Sequence, residues 1–252
     1  MNAHGLAGRV VLVTGSGRGL GAAIARAAAN DGAKVVLNCR HDGRALEAAA
    51  EAIVARGGES LAVRADVSDF EQARGLVEQA LRHFGHVDVL VNTVGDFNWN
   101  HLVDVEPLEW RRILASNLDS VYHTCRLLLP HMRERRFGRI VNFGAVGAAT
   151  TQGEPQMAAY TAAKAGVVAL SRALALEQAR AGITVNVVSP GLLRDEGEEP
   201  GLAPGSAQLA DRVPVGRPGR AVDVVRAVLF FASPAAEFVT GQVVEVAGGA
   251  RN

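Results

Sequence analysis

Short, nearly continuous apolar runs alternate along the chain with longer alanine-rich stretches. The runs are rich in β-branched residues and predict seven strands, at residues 10–13, 34–38, 60–63, 87–91, 139–143, 184–188 and 242–246. The stretches between them predict six helices, near residues 19–31, 43–57, 69–84, 107–135, 157–181 and 220–232. Strands that are apolar on both faces are typical of a parallel sheet covered by helices on both sides. The pattern therefore predicts an α/β fold with a doubly wound, parallel, seven-stranded sheet.

One segment, residues 192–219, interrupts this alternation. It is rich in glycine, proline and acidic residues and has no periodicity. It follows the predicted strand at 184–188, and ligands of parallel α/β sheets bind at the carboxyl ends of the strands. We therefore predict a single domain over residues 1–252, in which residues 192–219 form a lid over the substrate.

Charge and cysteine content bear on partners and location. Lys and Arg together number 26, as do Asp and Glu, so the formal net charge is zero and nothing indicates binding to nucleic acid or a membrane. There is no run of 18 apolar residues and no secretory leader pattern, which predicts a cytoplasmic protein. Cys39 and Cys125 have no metal-binding or redox spacing, so we predict no metal site.

The strongest motif is the glycine-rich segment at residues 14–21, between the first predicted strand and the first predicted helix. Glycine permits a tight turn and a close approach of a ligand, because it has no Cβ. The free N–H groups and the positive end of the helix dipole then suit a pyrophosphate. The motif predicts a Rossmann-type dinucleotide site formed by Gly15, Ser16, Gly17, Arg18, Gly19, Leu20 and Gly21.

Tyr160 and Lys164 form the second motif. Residues four apart on a helix lie on one face, so the two side chains are predicted to be neighbours. A nearby ammonium favours the phenolate, which lowers the pKa of a tyrosine and makes it usable as a general acid or base. The pair alone is also compatible with an amphipathic helix that carries a surface lysine and a half-buried tyrosine. Its position downstream of a dinucleotide turn favours the catalytic interpretation.

With these motifs in order, the chain resembles the short-chain dehydrogenase/reductases over essentially its whole length, and looks closest to their 3-oxoacyl-carrier-protein-reductase-like branch. The matching segments are residues 14–21, Asp66-Val67, Asn92-Thr93-Val94-Gly95, Asn117-Leu118, residues 160–164, Pro190-Gly191, Thr240-Gly241-Gln242 and Gly248-Gly249. The resemblance implies a ketoreductase and a homo-oligomer, a tetramer or a dimer, that pairs the helices near 107–135 and 157–181. Both helices also carry more apolar residues than one buried stripe requires.

The resemblance also implies roles for particular residues. Tyr160 would exchange a proton with the substrate, Lys164 would bind the nicotinamide ribose and lower the pKa of Tyr160, and Asn117 would hold a water that connects Lys164 to solvent. The other residues of the cofactor site would be Asp66 and Val67 at the adenine, with Asn92 bracing the neighbouring strand end, Gly95 after the fourth strand, and Pro190, Gly191 and Leu192 beside the nicotinamide. Taken alone, Asp66 and Asn117 fit equally well as helix caps or turn residues.

The residues after the second strand bear on the choice of cofactor. Asn38-Cys39-Arg40 stands where NAD-using members of the family typically carry an aspartate, which would repel a 2′-phosphate. An arginine instead pairs with a phosphate through charge-assisted hydrogen bonds, and Arg18 in the glycine turn is within reach of the same group. We therefore predict NADP(H) as the cofactor, although Arg40 is also compatible with a solvated loop residue.

The chain departs from the family pattern where the family carries a catalytic serine after the fifth strand. Ala145 stands at that position, and the interval to Tyr160 is slightly longer than usual. The serine normally donates a hydrogen bond to the substrate oxygen, and loss of one such donor typically costs about 2.7–4 kcal/mol of transition-state stabilisation. The candidates for a substitute donor, which fit equally well as ordinary loop residues, are Thr150, Thr151 and Gln152. Two smaller departures are Thr93-Val94 after the fourth strand and Asp195 where a threonine is usual.

Together these features predict an NADPH-dependent reductase of a carbonyl group on a small, neutral molecule, or the reverse alcohol oxidation, with Tyr160 as general acid or base. The lid residues that disfavour a polyanionic thioester substrate are Asp195, Glu196, Glu198 and Glu199. The predicted substrate site comprises Ala145, Thr150, Thr151 and Phe97; Phe97 and Trp99 would face an aromatic substrate, or pack in the core or an interface. Two alternatives stay open: a dehydratase, cyclase or isomerase that uses Tyr160 and Lys164, and a non-catalytic nucleotide-binding subunit.

Overall fold

The computed structural model describes residues 4–194 and 213–250. All seven predicted strands are present, with ends shifted by a few residues: β1 (Val10–Thr14), β2 (Lys34–Cys39), β3 (Ser60–Arg64), β4 (Val89–Asn92), β5 (Gly138–Phe143), β6 (Ile183–Pro190) and β7 (Val243–Val246). They form one parallel sheet in the order β3-β2-β1-β4-β5-β6-β7. The chain therefore builds outward from β1, crosses back, and builds outward again from β4, which confirms the doubly wound fold.

Seven α-helices lie in the described residues: α1 (Gly19–Asn30), α2 (Gly43–Val54), α3 (Phe70–Phe84), α4 (Pro107–Leu114), α5 (Ser120–Arg135), α6 (Ala158–Gln178) and α7 (Ala221–Ala232). Asp42 caps α2 and Asp69 caps α3, each accepting a hydrogen bond from a backbone N–H of the first turn. Within residues 4–194 and 213–250, every helix is too short or too polar to cross a membrane.

The sheet separates two apolar layers. On one side, Val11 and Val13 of β1 belong to a buried cluster with α1, α2 and α7. On the other side, Val10 and Leu12 belong to a cluster with α3, α5 and α6. Consecutive residues of a strand point to opposite faces, and both faces are covered here. This explains why the strands appear in the sequence as unbroken apolar runs.

The helix predicted over residues 107–135 is instead two helices joined by a π-helical turn, Ala115–Asp119. α4 ends at Leu114, and α5 begins at Ser120. A π turn holds one extra residue, so it changes which side chains face inward, and such turns are frequent at functional sites. The buried side chains of this turn are Ser116 and Asn117.

Residues 195–212 of the predicted lid lie outside the described residues, and with them Asp195, Glu196, Glu198 and Glu199. The two described ends of the segment are joined. Leu193 and Gly219 form a parallel β-bridge, and the backbone N–H of Arg194 donates to the carbonyl oxygen of Gly219 at 2.9 Å. The two described ends therefore lie side by side, directly after β6.

Candidate active site

A cavity of about 380 Å³ lies at the carboxyl ends of the strands, where β1 and β4 are neighbours and the chain reverses its direction of winding. Ligands of doubly wound sheets bind at such a switch point. The predicted cofactor residues that line this cavity, called here the first cavity, are Gly15, Gly17, Arg18, Asn38, Arg40, Asp66, Val67 and Gly95.

The glycine turn has the tight geometry that its sequence predicts. Gly15 and Gly19 have φ values of +64° and +56°, a region that favours glycine. A Cβ on Gly21 would lie 2.4 Å from the carbonyl oxygen of Gly15, so the first turn of α1 packs directly on the loop. Arg18 lies at the cavity and immediately precedes α1, which places the positive end of the helix dipole beside the cavity.

Two side chains of the same turn support it from behind. Ser16 is buried, and its Oγ donates to the carbonyl oxygen of Val13 at 2.8 Å and accepts from the backbone N–H of Asn38 at 2.9 Å. Leu20 packs against the apolar layer of α1, α2 and α7. Neither residue lines the first cavity. Their side chains therefore shape the turn.

Asn38 and Asn92, both predicted at the cofactor, use their side-chain amides to brace the sheet. Asn38 Nδ2 donates to the carbonyl oxygen of Ala65 at 2.9 Å. Asn92 Nδ2 donates to Asn142 Oδ1 at 2.9 Å, and Asn92 Oδ1 accepts from Thr124 Oγ1 at 2.9 Å. Both residues are buried. The bonds of Asn92 agree with its predicted role as a brace of the strand end. The amide of Asn38 is committed to a neighbouring strand in the same way, although Asn38 lines the first cavity.

Arg40 and Asp66 form an ion pair beside the first cavity, with 3.4 Å between Arg40 Nη1 and Asp66 Oδ2. Asp66 Oδ1 also accepts from the backbone N–H and from the hydroxyl of Ser68, at 3.0 and 2.6 Å. Burial by itself would raise the pKa of the Asp66 carboxyl, but the hydrogen bonds from Ser68 and the charge of Arg40 outweigh it and hold the pKa below its usual value. Arg40 is therefore a positioned residue of the cavity wall.

A second cavity of about 240 Å³ lies beside the first and shares Thr93 and Gly95 with it. Its wall contains the three predicted catalytic residues, Tyr160, Lys164 and Asn117. The other residues that line it are Phe143, Gly144, Pro190 and Gly191. The sequence predicted Pro190 and Gly191 here, and Leu192 follows them as a partly exposed residue outside the lining.

Lys164 projects from α6 into the second cavity. It is 4% exposed, and its Nζ donates to the carbonyl oxygen of Phe143 at 2.9 Å. Nζ also lies 5.6 Å from the centroid of the Tyr160 ring. Burial lowers the pKa of Lys164 to about 8, because a charged ammonium loses solvation there.

Burial raises the pKa of Tyr160. The sequence predicts the opposite direction, from the charge of a neighbouring Lys164. In the chain by itself the direction is reversed, because burial desolvates the phenolate and disfavours it. Tyr160 is therefore protonated at neutral pH and ready to donate.

Asn117 occupies the π turn and faces Gly95. Its Nδ2 donates to the carbonyl oxygens of Asp96 and Ile113, at 2.7 and 3.0 Å. Its buried Oδ1 has no hydrogen-bond partner among the described residues. A Cβ on Gly95 would lie 2.3 Å from this oxygen and 3.4 Å from Lys164 Nζ, so both groups flank the bare Cα of Gly95. An orphaned acceptor beside a lysine is what a bound water would satisfy.

The loop after β5 does not bring its predicted substrate side chains into the second cavity. Ala145 packs against an apolar cluster that includes Val168 of α6 and Val187 of β6. Thr150 Oγ1 donates to the carbonyl oxygen of Gly147 at 3.1 Å, and Thr151 Oγ1 donates to that of Thr150 at 2.7 Å. Because these hydroxyls are spent within the loop, the prediction of a substitute donor here finds no support. Gln152 is exposed.

Gly144 is the residue of this loop that lines the second cavity, and the sequence did not identify it. A Cβ there would lie 2.5 Å from Ser189 Oγ of β6, so the position has no room for a side chain. The loop is also tied to the last strand, since the Gly147 N–H donates to Glu245 Oε1 at 2.8 Å. Thr151 has a positive φ of 57°, uncommon outside glycine, and such residues cluster at functional sites.

Phe97, a predicted substrate residue, packs edge-on against Tyr160, with 5.0 Å between ring centroids. Trp99 lies beside it at 5.9 Å. Both side chains are about half exposed. The structure therefore brings one predicted substrate residue, Phe97, into contact with Tyr160, and leaves Ala145, Thr150 and Thr151 outside the second cavity.

Comparison with known proteins identifies the family to which this chain belongs. Residues 15–251 match the family model described as enoyl-(acyl carrier protein) reductase. The chain is 42% identical over 243 residues to the 3-oxoacyl-(acyl-carrier-protein) reductase FabG of Haemophilus influenzae, covering 96% of this chain and 98% of that protein. The chain belongs to the short-chain dehydrogenase/reductase family. This confirms the predicted family and its 3-oxoacyl-carrier-protein-reductase-like branch.

Two further relatives show the breadth of the family. Versicolorin reductase 1 of Aspergillus parasiticus is 37% identical over 259 residues, with 98% of each chain covered. The crystal structure of a gluconate 5-dehydrogenase from Burkholderia cenocepacia in complex with NADP and tartrate is 32% identical, with a TM-score of 0.88 over 98% of this chain and 97% of that one. These relatives are two reductases and a dehydrogenase, which supports oxidoreductase activity for this chain.

Proposed function

We propose that the protein is an NADPH-dependent reductase of a carbonyl group on a small, neutral molecule, and catalyses the reverse alcohol oxidation when the equilibrium allows. One observation carries the proposal. Tyr160 and Lys164 lie one turn apart on α6 and line a cavity that shares Thr93 and Gly95 with the glycine-turn cavity. A proton donor and a dinucleotide site therefore meet at one place.

The residues present fit NADP(H). The glycine turn and Gly95 line the two cavities without side chains, and the buried Asn117 Oδ1 beside Gly95 has no hydrogen-bond partner among the described residues. We expect the cofactor to be held by the main chain of the glycine turn, Asp66, Val67, Lys164, Pro190, Gly191 and Leu192. When bound, the nicotinamide supplies the hydride for reduction and accepts it in oxidation.

Three residues of the chain donate the proton that the reaction consumes and allow its replacement from solvent. Tyr160 donates from its hydroxyl to the substrate oxygen in reduction, and its raised pKa keeps that proton available at neutral pH. Lys164 is fixed by its bond to Phe143 and favours the phenolate that donation leaves behind. Asn117 Oδ1, beside Lys164 across Gly95, is placed to hold a water through which the proton is replaced from solvent.

Two arginines support NADP(H) over NAD(H). Arg18 and Arg40 both line the first cavity, and each can pair with a 2′-phosphate. Three carboxylates line this cavity, and each has a partner: Asp66 is paired with Arg40, Asp96 is paired with Arg112, and Asp42 caps α2. The solved complex of the gluconate 5-dehydrogenase relative with NADP agrees with this choice.

A non-catalytic nucleotide-binding subunit is the second candidate, and Ala145 favours it. Loss of the family's usual serine removes a donor that stabilises the charge developing on the substrate oxygen, although Tyr160, Lys164 and Asn117 together favour a catalyst. In that case the nucleotide would be a structural ligand.

One assay separates these functions. NADPH absorbance and product formation are followed together with a panel of quinones, diketones and cyclic ketones. Product with stoichiometric NADPH oxidation supports the reductase. Product without oxidation supports a non-redox enzyme. Nucleotide binding with neither outcome indicates a non-catalytic subunit.

A further inference from the structure

Two large aromatic side chains stand exposed beside the catalytic tyrosine. Phe97 is 50% exposed and Trp99 is 57% exposed, although they are among the largest apolar side chains of the protein. Exposed apolar surface that is contiguous and next to a cleft marks a binding site more often than chance packing does. We call Phe97 and Trp99 the aromatic shelf.

The shelf is held in a fixed position by the residues between and after its rings. Asn98 is 8% exposed and points the opposite way, with its Nδ2 donating to Glu109 Oε1 of α4 at 3.2 Å. The backbone N–H of Asn100 donates to the carbonyl oxygen of Gln156 at 2.9 Å. Asn98 is buried, whereas Phe97 and Trp99 on either side of it are exposed. The anchored backbone therefore presents both rings on the same side of the loop.

The shelf leads directly to the reacting group. The Phe97 ring meets the Tyr160 ring edge-on, at 5.0 Å between centroids and 71° between planes. Trp99 continues the shelf outward from Phe97, at 5.9 Å. A flat ring bound on this surface therefore lies next to the Tyr160 ring.

Phe97 and Trp99 themselves carry no charge. Of the acidic residues on this side of the fold, Asp96 is paired with Arg112, and Glu109 accepts hydrogen bonds from the amides of Asn98 and Asn100. Ring faces attract other rings through offset or edge-to-face contacts, each worth about 0.5–1.5 kcal/mol beyond the area that is buried. An uncharged aromatic group matches this surface better than an anionic acyl chain does.

We propose that the aromatic shelf binds an aromatic ring of the substrate, and that the substrate is a neutral aryl ketone or the corresponding benzylic alcohol. The proposal rests on the proposed function for the identity of the reacting group. The binding of the ring itself does not depend on turnover.

Binding is tested first, with the enzyme saturated with NADPH. Calorimetry compares 1-naphthol with decahydro-1-naphthol, which has the same carbon skeleton and hydroxyl without π electrons. We expect the wild type to bind 1-naphthol about tenfold more tightly. The variants Phe97→Leu and Trp99→Leu should remove most of this difference, whereas Phe238→Leu, a fully exposed phenylalanine before β7, should retain it.

Turnover is tested second, with 1-tetralone and trans-1-decalone. Phe97→Leu should lower kcat/KM for 1-tetralone about tenfold and change it less than threefold for the saturated ketone. Equal losses on the two ketones, or equal wild-type affinity for the two alcohols, would overturn the aromatic substrate. Selective binding of 1-naphthol without reduction of either ketone would leave the shelf intact and overturn the reductase instead.

Discussion

Lys164 Nζ donates a hydrogen bond of 2.9 Å to the main-chain carbonyl oxygen of Phe143, the last residue of β5. This bond ties the catalytic face of α6 to the carboxyl end of the sheet and fixes the ammonium between Tyr160 and Asn117. It satisfies one of the three protons of the ammonium. The others remain for ribose hydroxyls and for the charge that develops on the phenol.

The buried position of Lys164 predicts a pH dependence of cofactor binding. Its pKa of about 8 means that the charge is present below that pH and is lost above it. The phosphates of NADPH favour the charged form in the complex, so the affinity should be constant below about pH 7 and fall as pH rises through 8, by up to about tenfold per pH unit. Fluorescence titration from pH 6 to 10 measures this. In Lys164→Met, binding should be weaker and nearly flat over the same range; an unchanged midpoint would assign the titration to another group.

Tyr160→Phe should abolish turnover and preserve nucleotide binding. The phenol is the proton donor of the proposed reaction, and phenylalanine keeps the ring that contacts Phe97. NADPH oxidation and NADPH titration are measured on the same preparation, with Tyr122→Phe on the exposed face of α5 as the matched control. Residual activity above about a tenth of the wild type would move the acid–base role elsewhere.

NADPH should bind at least tenfold more tightly than NADH, since the 2′-phosphate gains charge-assisted hydrogen bonds. Arg40→Ala should weaken NADPH binding and leave NADH binding nearly unchanged. The control is Arg82→Ala, because Arg82 is exposed in the last turn of α3 and outside the cofactor cavity. Equal affinities for the two cofactors in the wild type would refute the assignment.

The fold follows closely from the sequence, because burial on both faces makes each strand an unbroken apolar run. The π turn does not follow from it. Ser116, Asn117 and Asp119 are weaker helix formers than most residues around them, but such residues occur in ordinary helices too, and the extra residue of the turn is seen only in the fold, where Asn117 packs against Gly95. A pattern of apolar positions shows which side of a helix is buried, but it does not show that one turn of the helix contains an extra residue.

Within the site, the residues required by backbone geometry were the easiest to identify. Gly15, Gly21 and Gly95 have neighbours that exclude a Cβ, and their spacing in the sequence reflects that. The role of Asn38 was harder to predict, because an amide at a strand end serves a ligand and a neighbouring strand equally well. Only the hydrogen bonds of the folded chain distinguish the two uses.

The protein should be a homo-oligomer, in line with the family resemblance. Leu108 of α4, Tyr122 of α5 and Leu176 of α6 are 78%, 50% and 83% exposed in the single chain, and association would cover them. Light scattering at micromolar concentration should give a multiple of 26.4 kDa. A mass of one chain would contradict this, and Leu176→Glu should shift the mass downward if α6 is in the interface.

The last prediction concerns Ala145→Ser. Ala145 packs on Val168 and Val187, and its neighbour Gly144 has no room for a side chain because Ser189 fills that space. The whole loop is also tied to β7 through Gly147 and Glu245. A hydrogen-bond donor aligned with the substrate oxygen typically supplies about 2.7–4 kcal/mol of transition-state stabilisation, which corresponds to about a hundredfold or more in rate. A serine at position 145 of this loop should therefore recover only part of that stabilisation.

The matched substrates for this test are 1-tetralone and 8-hydroxy-1-tetralone, whose hydroxyl hydrogen-bonds the neighbouring carbonyl within the molecule. Ala145→Ser should leave kcat/KM for the hydroxy ketone unchanged or reduced, and should raise it for 1-tetralone by less than about tenfold. The reason is that, in a pocket shaped for a substrate whose own hydroxyl donates a hydrogen bond to its carbonyl, a second donor from the protein adds no stabilisation. A hundredfold rise in kcat/KM for both ketones would instead show that Ala145 only removes the family's serine donor, and that the loop keeps the geometry usual in the family.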